Sequence, residues 1–397
     1  MPIDGQTGAP PARVVFYNDP KVRSIVYQAA LCAIVGFLVY AAAHNAIENL
    51  RRAHIASGFG FWNNTAGFDI SQTLISFDSA SSTYGRAFWV GLLNTLLVAG
   101  LGIVFATILG FIVGIARLST NWLVAKAAAG YVETIRNIPL LLQLLFWYNA
   151  VLKALPGLRD SYVVLGGIYL NNRGLFMPQP VFESGFGWVL IALVVGIIGA
   201  AFFYIWARRR QDRTGQQAPI FLVSLALVIG LPLVVLALTR FPLAFEYPKA
   251  GRFNIEGGVE VLPEFAALLF GLSIYTAAFI AEVVRAGITA VSRGQTEAAY
   301  SLGLRPGPTL RLIVVPQAMR VIIPPLTSQY LNLTKNSSLA VAIGYPDLVQ
   351  VFTGTVLNQT GQAVEVVAIT MAVYLAISLV TSLLMNIYNS RIALVER

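Results

Sequence analysis

The sequence predicts an all-α, polytopic membrane protein with about eight transmembrane helices. Three observations carry that prediction. Of 397 residues, 57% are hydrophobic and only 11% charged, against roughly 25% charged in an average soluble domain. A soluble core cannot hold so much apolar surface, so a water-soluble enzyme is excluded, as are a disordered chain, collagen and a coiled coil. The apolar residues fall into separate runs of about 20, the length an α-helix needs to cross a bilayer. The basic residues behind the net charge of +9 gather at the ends of those runs, as topology signals do. No basic helix with interleaved aromatics is present, so nucleic acid is not an expected partner.

In chain order, the first span covers 24–43. It follows Arg13, Lys21 and Arg23 and ends in Ala41-Ala42-Ala43. The small residues imitate a signal-peptide cleavage site, but the run is too long for a signal core, so an uncleaved first helix is expected. The second span is 88–116, the third 138–153, the fourth 187–207 and the fifth 219–238. The sixth is 265–284, the seventh lies around 321–351, and the eighth is 364–387. Strand-like alternation over lipid-spanning lengths is absent, which excludes an outer-membrane barrel.

Orientation follows from charge. With the N-terminus inside, the segments before 24, at 117–137, 208–218 and 285–320, and after 387 carry 17 Lys and Arg. The outer segments 44–87, 153–186 and 239–264 carry 9. Arg208-Arg209-Arg210 is the strongest single signal, and both termini come out cytoplasmic. The outer segments contain Pro156, Gly157, Pro178, Pro180, Gly257 and Gly258. They are too short for catalytic domains and suit a cap that meets an external partner.

The inner segment 294–339 is the most informative. Gln295–Leu302 is Ala-rich and helix-prone. Gly303 sits where a left-handed residue ends a helix, and Pro306 blocks simple continuation. A second helix is expected over 309–319, with Leu312, Val315 and Met319 on one stripe. Small Ala298 and Ala299 permit close approach by a partner, and Glu297 can pair with a basic group there. On the residues alone, an ordinary amphipathic connector between spans is also open.

Gly294, Glu297-Ala298-Ala299, Gly303 and Leu304 together resemble the EAA loop of ABC importer permeases. Val315-Pro316-Gln317-Ala318, Arg320, Pro324-Pro325 and Lys335-Asn336-Ser337-Ser338-Leu339 resemble the polar amino acid uptake branch of that family. So do Tyr275–Gly287, Asn94-Thr95 and Tyr131–Leu141. The resemblance covers residue 88 to the C-terminus and implies a type I ABC importer permease core. On that basis the chain divides into an N-terminal tail, helix and outer loop (1–87), a permease domain (88–389) and a cytoplasmic tail (390–397). An insertion at about 155–262 adds two spans to the compact five-span layout. The enlarged layout is similar to that of the larger permease subunits of general L-amino-acid and glutamate/glutamine/aspartate/asparagine importers.

The resemblance further implies a cytosolic ATPase dimer docked on Glu297, Ala298, Gly303 and Leu304, a second related permease subunit and a periplasmic amino-acid-binding protein. These partners join membrane lipid around the spans, in a bacterial inner membrane. ATP and Mg belong to the ATPase. This chain has no G-x-x-x-x-G-K-[ST] phosphate loop and is expected to bind no cofactor and perform no catalysis itself. Lone Cys32, and His44 and His54 without an H-E-x-x-H pattern, offer neither a nucleophile–base pair nor a metal site.

Within the spans, Glu282 can bind a substrate ammonium or pair with Arg285 at i,i+3. Gln143, Asn94, Thr95, Ser273 and Thr276 can serve as helix-packing groups or line a polar cavity. Lys335, Ser337 and Ser338 can hold a carboxylate or fix a cytoplasmic gate. Residues 119–136 read as an interfacial helix, with Trp122, Ala129, Val132 and Ile135 near one stripe and Glu133 paired to Arg136. The Asn137-Ile138-Pro139 break then opens the third span, as interrupted helices do near substrate. An ion-coupled secondary transporter is the alternative. It calls for midplane carboxylates and internal repeats; Glu282 is the one candidate acid, and no convincing repeat is visible.

Overall fold

The structure, a computed structural model, describes residues 20–52, 57–251 and 254–392. The expected tails with Arg13 and Arg397, together with His54 and Arg252, lie outside the described residues. Seven described helices are long and apolar enough to cross a membrane, and a bent pair makes up to eight. The chain is therefore an all-α polytopic membrane protein.

Helix α1 (Pro20–Arg52) leaves its apolar side chains exposed along the membrane-length stretch, so its surface is available to lipid or a neighbouring chain. A loop with a single 3-10 turn, Gly60–Asn63, leads into α2 (Tyr84–Ala116), where Thr83 caps the helix by accepting from the Arg86 amide. Trp62 of that loop packs on Phe88 with ring centroids 5.2 Å apart, and Phe61 joins them in an aromatic cluster. At 33 residues, α2 is about 50 Å long, so it crosses the bilayer and projects beyond it.

Next, α3 (Trp122–Asn137) and α4 (Leu140–Leu152) meet at a bend of 105°. Ile138 is extended and Pro139 begins the new helix, because a residue before proline is driven out of the α region. The Asn137-Ile138-Pro139 break thus separates two helices that run in sharply different directions. The Gln143 amide donates to the carbonyls of Ile135 and Ile138 at 2.9 Å each, across the bend. On α3, Val132 and Ala128 face the core while Trp122 is exposed, so the packed stripe differs from the expected one. Arg136 lies over the Phe279 ring at 4.9 Å rather than on Glu133.

Among its described residues the insertion contains eight short strands that the sequence reading did not anticipate. β1 (Tyr162–Val164), β2 (Ile168–Asn171), β3 (Gly174–Met177) and β4 (Gln179–Phe182) precede its two helices, α5 (Phe186–Thr214) and α6 (Ile220–Leu238). β5 (Leu243–Glu246), β6 (Lys249–Ala250), β7 (Ile255–Glu256) and β8 (Val259–Val261) follow them. The four-stranded sheet runs β1-β2-β3-β8, and antiparallel β3–β8 pairing joins the entrance of the insertion to its exit. A β4–β5 ladder closes the top of the α5–α6 hairpin. The hairpin helices touch at Gly196, where a Cβ would lie 2.1 Å from the Leu227 carbonyl oxygen.

Helix α7 (Pro263–Thr289) is the axis of the core and packs against α2, α3, α4 and the long helix described next. After the short α8 (Arg293–Ser301), α9 (Pro306–Ile343) runs without interruption into the membrane. The separate helix expected at 309–319 is therefore the first part of α9. Leu312 and Val315 of the expected stripe are exposed, and Ala318 and Ile322 face the core instead. The seventh span starts earlier than expected because Pro324 and Pro325 sit inside the helix. α10 (Val349–Val356, continued by Leu357–Thr360) and α11 (Ala363–Ile392) complete the chain.

Candidate coupling loop and polar groups within the bundle

The turn after α8 is built by backbone geometry. Gly303 adopts φ +77°, its amide donates to the Tyr300 carbonyl at 2.9 Å, and the Leu304 amide donates to the Ala299 carbonyl at 3.1 Å. This pair of bonds is the Schellman ending, which needs a left-handed residue at the turn. Pro306 then starts α9 at its first position, where a missing N–H costs nothing. The result is a projecting knob that bears exposed Glu297, Ala298, Tyr300 and Leu302. Gly294 is exposed at its base. Ala299 is 1% exposed: it packs inward on its own chain and offers no surface to a partner. The Gln317 amide reaches Gln295 at 3.3 Å and ties the two arms of the knob.

Glu282 lies at the knob's end of the bundle. A Cβ on Gly114, two residues from the end of α2, would meet Val284 at 2.7 Å, which places Glu282 beside the same end. Its carboxylate pairs with both Arg117 and Arg285. Two guanidinium groups occupy the oxygens that a substrate ammonium would need. The structure thus shows the Arg285 pairing that the sequence offered and adds Arg117, so that Glu282 ties α2 to α7.

Other candidates are buried between the helices, where Asn94 Oδ1, Gln143 Oε1 and Ser273 Oγ have no hydrogen-bond partner in the structure. The Asn94 amide donates to the carbonyls of Gln72 and Pro346 at 2.9 Å each. Thr95 donates to the Gly91 carbonyl and accepts from the Leu348 amide, both at 3.0 Å. Together they clamp the turn between α9 and α10. Gln143 secures the α3–α4 bend. Ser273 and Thr276 are buried on α7. Ser337 is fully buried and donates to the Thr334 carbonyl at 2.8 Å. The structure does not gather these groups with Glu282 into one cavity.

Lys335 and Ser338 do share a pocket, with Thr370 and Tyr374 of α11. Tyr374 escaped the sequence reading, as did fully buried Asp347, to which Tyr374 donates at 3.1 Å. Asp347 also accepts from the Gln350 amide at 2.8 Å. Tyr-Pro-Asp directly before a helical run is an N-cap signature and was the available signal for Asp347.

Comparison with known proteins defines the class. Residues 213–394 match the family described as the binding-protein-dependent transport system inner membrane component. The chain belongs to the ABC importer permeases of the polar amino acid uptake family. It is 55% identical to a general L-amino acid transport system permease protein of Rhizobium johnstonii, over 96% of this chain and 94% of that one. It is 52% identical to a putative amino-acid ABC transporter permease protein of Escherichia coli, over 96% and 97% of the two chains. A glutamate/glutamine/aspartate/asparagine transport system permease protein of Rhodobacter capsulatus is 44% identical, over 96% of each. All three matches span the insertion, so the enlarged layout is shared with them.

Proposed function

We propose that this chain is the permease subunit of an importer that moves polar L-amino acids across the bacterial inner membrane, driven by ATP hydrolysis on a separate cytosolic ATPase dimer. The knob at 293–304 docks on that dimer, and α9 carries the motion into the bundle. The observation that carries this reading is the knob itself. A Schellman turn fixes two short helical arms at a set angle, one arm is continuous with a membrane-spanning helix, and the exposed tip combines an acidic and two large apolar side chains. Such a tip is costly to leave in water and suits a protein groove. Basic residues on the inner segments support cytoplasmic termini.

A periplasmic binding protein delivers substrate to the outer cap, and a second, related permease chain completes the path. In support, a second Rhodobacter capsulatus permease protein of the same named transport system is 32% identical over 44% of this chain. Separate hydrolytic and membrane subunits also accord with the missing phosphate loop. ATP and Mg remain on the ATPase, and this chain binds no cofactor.

Cross-linking tests the docking. In a Cys32→Ser background, Leu302→Cys is expected to cross-link to the ATPase subunit in the assembled complex, since Leu302 is 81% exposed at the tip. Ala299→Cys, facing inward, is expected to give no such product. Equal cross-linking from both positions, or none from Leu302→Cys, contradicts docking through this knob.

A further inference from the structure

The hairpin of α5 and α6 is tied by strands at one end only. Its helices pack chiefly on each other, and the β4–β5 ladder holds the end where α5 starts. The connection at the other end leaves Gly215, Gln216 and Gln217 exposed. Ile197, Ile198, Phe202 and Leu222 are exposed on the helices themselves, so the hairpin turns apolar surface outward at membrane depth. The apolar part of α5 runs from Phe186 to Ala207, about 33 Å at 1.5 Å per residue. That length matches the hydrocarbon thickness of a bilayer, so the turn that begins at Arg208 meets the headgroups. Antiparallel β3–β8 pairing holds the approaches to α5 and α7 on one side of the membrane. Arg208 therefore lies on the opposite side, with the knob.

Arg208, Arg209, Arg210 and Arg213 crowd the last two turns of α5, and Asp212 is the one acid of that helix. All four arginines are exposed, and none pairs with a carboxylate among the described residues. Arg209 and Arg213 stand at i,i+4 and Arg210 and Arg213 at i,i+3, so three guanidinium groups share one side. Like charges at those spacings repel, and the cluster calls for an anionic counterpart. Two of the four are prearranged for one. Arg208 lies over the Tyr204 ring at 4.9 Å, and Arg210 over the Trp206 ring at 5.4 Å. Stacking covers one face of a guanidinium and leaves the N–H donors along its edge, the fork that fits phosphate oxygens. Arg210 spends one donor on Gln216 at 2.8 Å. Tyr204 and Trp206 are themselves exposed, and amphipathic rings of this kind settle at headgroup level. Topology alone asks for positive charge near the end of a span. It does not ask for arginine at every position or for guanidinium groups seated on rings.

We infer that this end of α5 is a binding surface for anionic phospholipid. Arg209, Arg210 and Arg213 hold the phosphodiester groups, and the acyl chains lie against the apolar flank of the hairpin. Headgroups then fasten the end of the hairpin that no strand holds. An acidic protein surface would satisfy the same charges, but it would leave the adjoining apolar flank without an occupant.

The test uses the complete complex in nanodiscs of phosphatidylcholine. It measures tryptophan quenching by phosphatidylglycerol, or by phosphatidylcholine, brominated on the acyl chains. The share of quenching that Trp206→Phe removes reports the lipid beside Trp206. There the wild type is expected to prefer phosphatidylglycerol by about tenfold or more, as several arginines near an anionic headgroup allow. Arg209→Gln leaves three arginines to keep the topology and is expected to lower that preference about fivefold. Asp212→Asn is expected to raise it, because it removes the one charge that repels the phosphate. Equal affinity of the wild type for the two lipids, which is what an acidic protein over the cluster would give, overturns the lipid surface. So does an unchanged preference in Arg209→Gln or a lowered one in Asp212→Asn.

Discussion

Replacing Gly303 with valine is expected to reduce ATP-driven uptake by more than about tenfold while the permease reaches the membrane at normal levels. No neighbour lies within 4 Å of a Cβ at this position, so the damage does not come from a clash. It comes from φ +77°. A left-handed L-residue costs roughly 1–2 kcal/mol, and a β-branched one is a steric outlier there. Escape to a right-handed conformation breaks the two bonds that fix the turn and swings α8 away from its angle to α9. Gly303→Asn is the control, because asparagine tolerates this region, and it is expected to keep uptake within about threefold. Uptake of Gly303→Val equal to wild type, in reconstituted complexes of matched composition, contradicts a rigid coupling knob.

Replacing Gly110 with leucine is expected to prevent recovery of a folded permease. Gly102, Ala106, Gly110 and Gly114 recur every four residues on α2 and are buried, the small-residue spacing by which membrane helices approach closely. A Cβ at Gly110 would lie 2.5 Å from Ile280 Cγ2 and 3.1 Å from the Ala277 carbonyl oxygen. Carbonyl backbone cannot step aside, so α2 and α7 must separate. Overpacking of this kind costs about 1–3 kcal/mol or more, and here it strikes the axis on which the core is assembled. Gly100 on the same helix has nothing within 4 Å, and Gly100→Leu is expected to behave as wild type. Size-exclusion of detergent extracts separates the outcomes: a monodisperse peak for Gly100→Leu and none for Gly110→Leu. A normal peak from both denies the close α2–α7 seam.

The membrane fold was legible because its rule is one-dimensional. Backbone groups in hydrocarbon must be satisfied within the helix, so long apolar runs have few alternatives, and the span at 220–238 was placed almost to the residue. The knob was legible for a similar reason, since glycine and proline act locally on the chain. The strands of the insertion were not. Each has two to four residues, too few for alternation to register, and β3 pairs with β8 across more than eighty residues of sequence. Local patterning carries no record of such a partner.

Side-chain roles were the least legible. Glu282 as a span carboxylate reads the same whether its neighbours are empty or filled, and only the packing of α2 brings Arg117 to it. Ser337 and Ser338 are adjacent in sequence, yet one is buried in the core and the other lines the pocket. A helix turns about 100° per residue, so the choice depends on the rotation of α9 against α2. Tyr374 gains its importance from Asp347, which is distant in the sequence and reached only through the fold.

Uptake of labelled L-glutamine into proteoliposomes tests the central claim most directly, with this permease reconstituted beside its second permease chain, its ATPase and its binding protein. The account predicts accumulation that requires ATP hydrolysis and persists when ionophores abolish proton and sodium gradients. Accumulation that needs an imposed ion gradient and proceeds without ATP, or that continues when the ATPase subunit is inactivated, contradicts it.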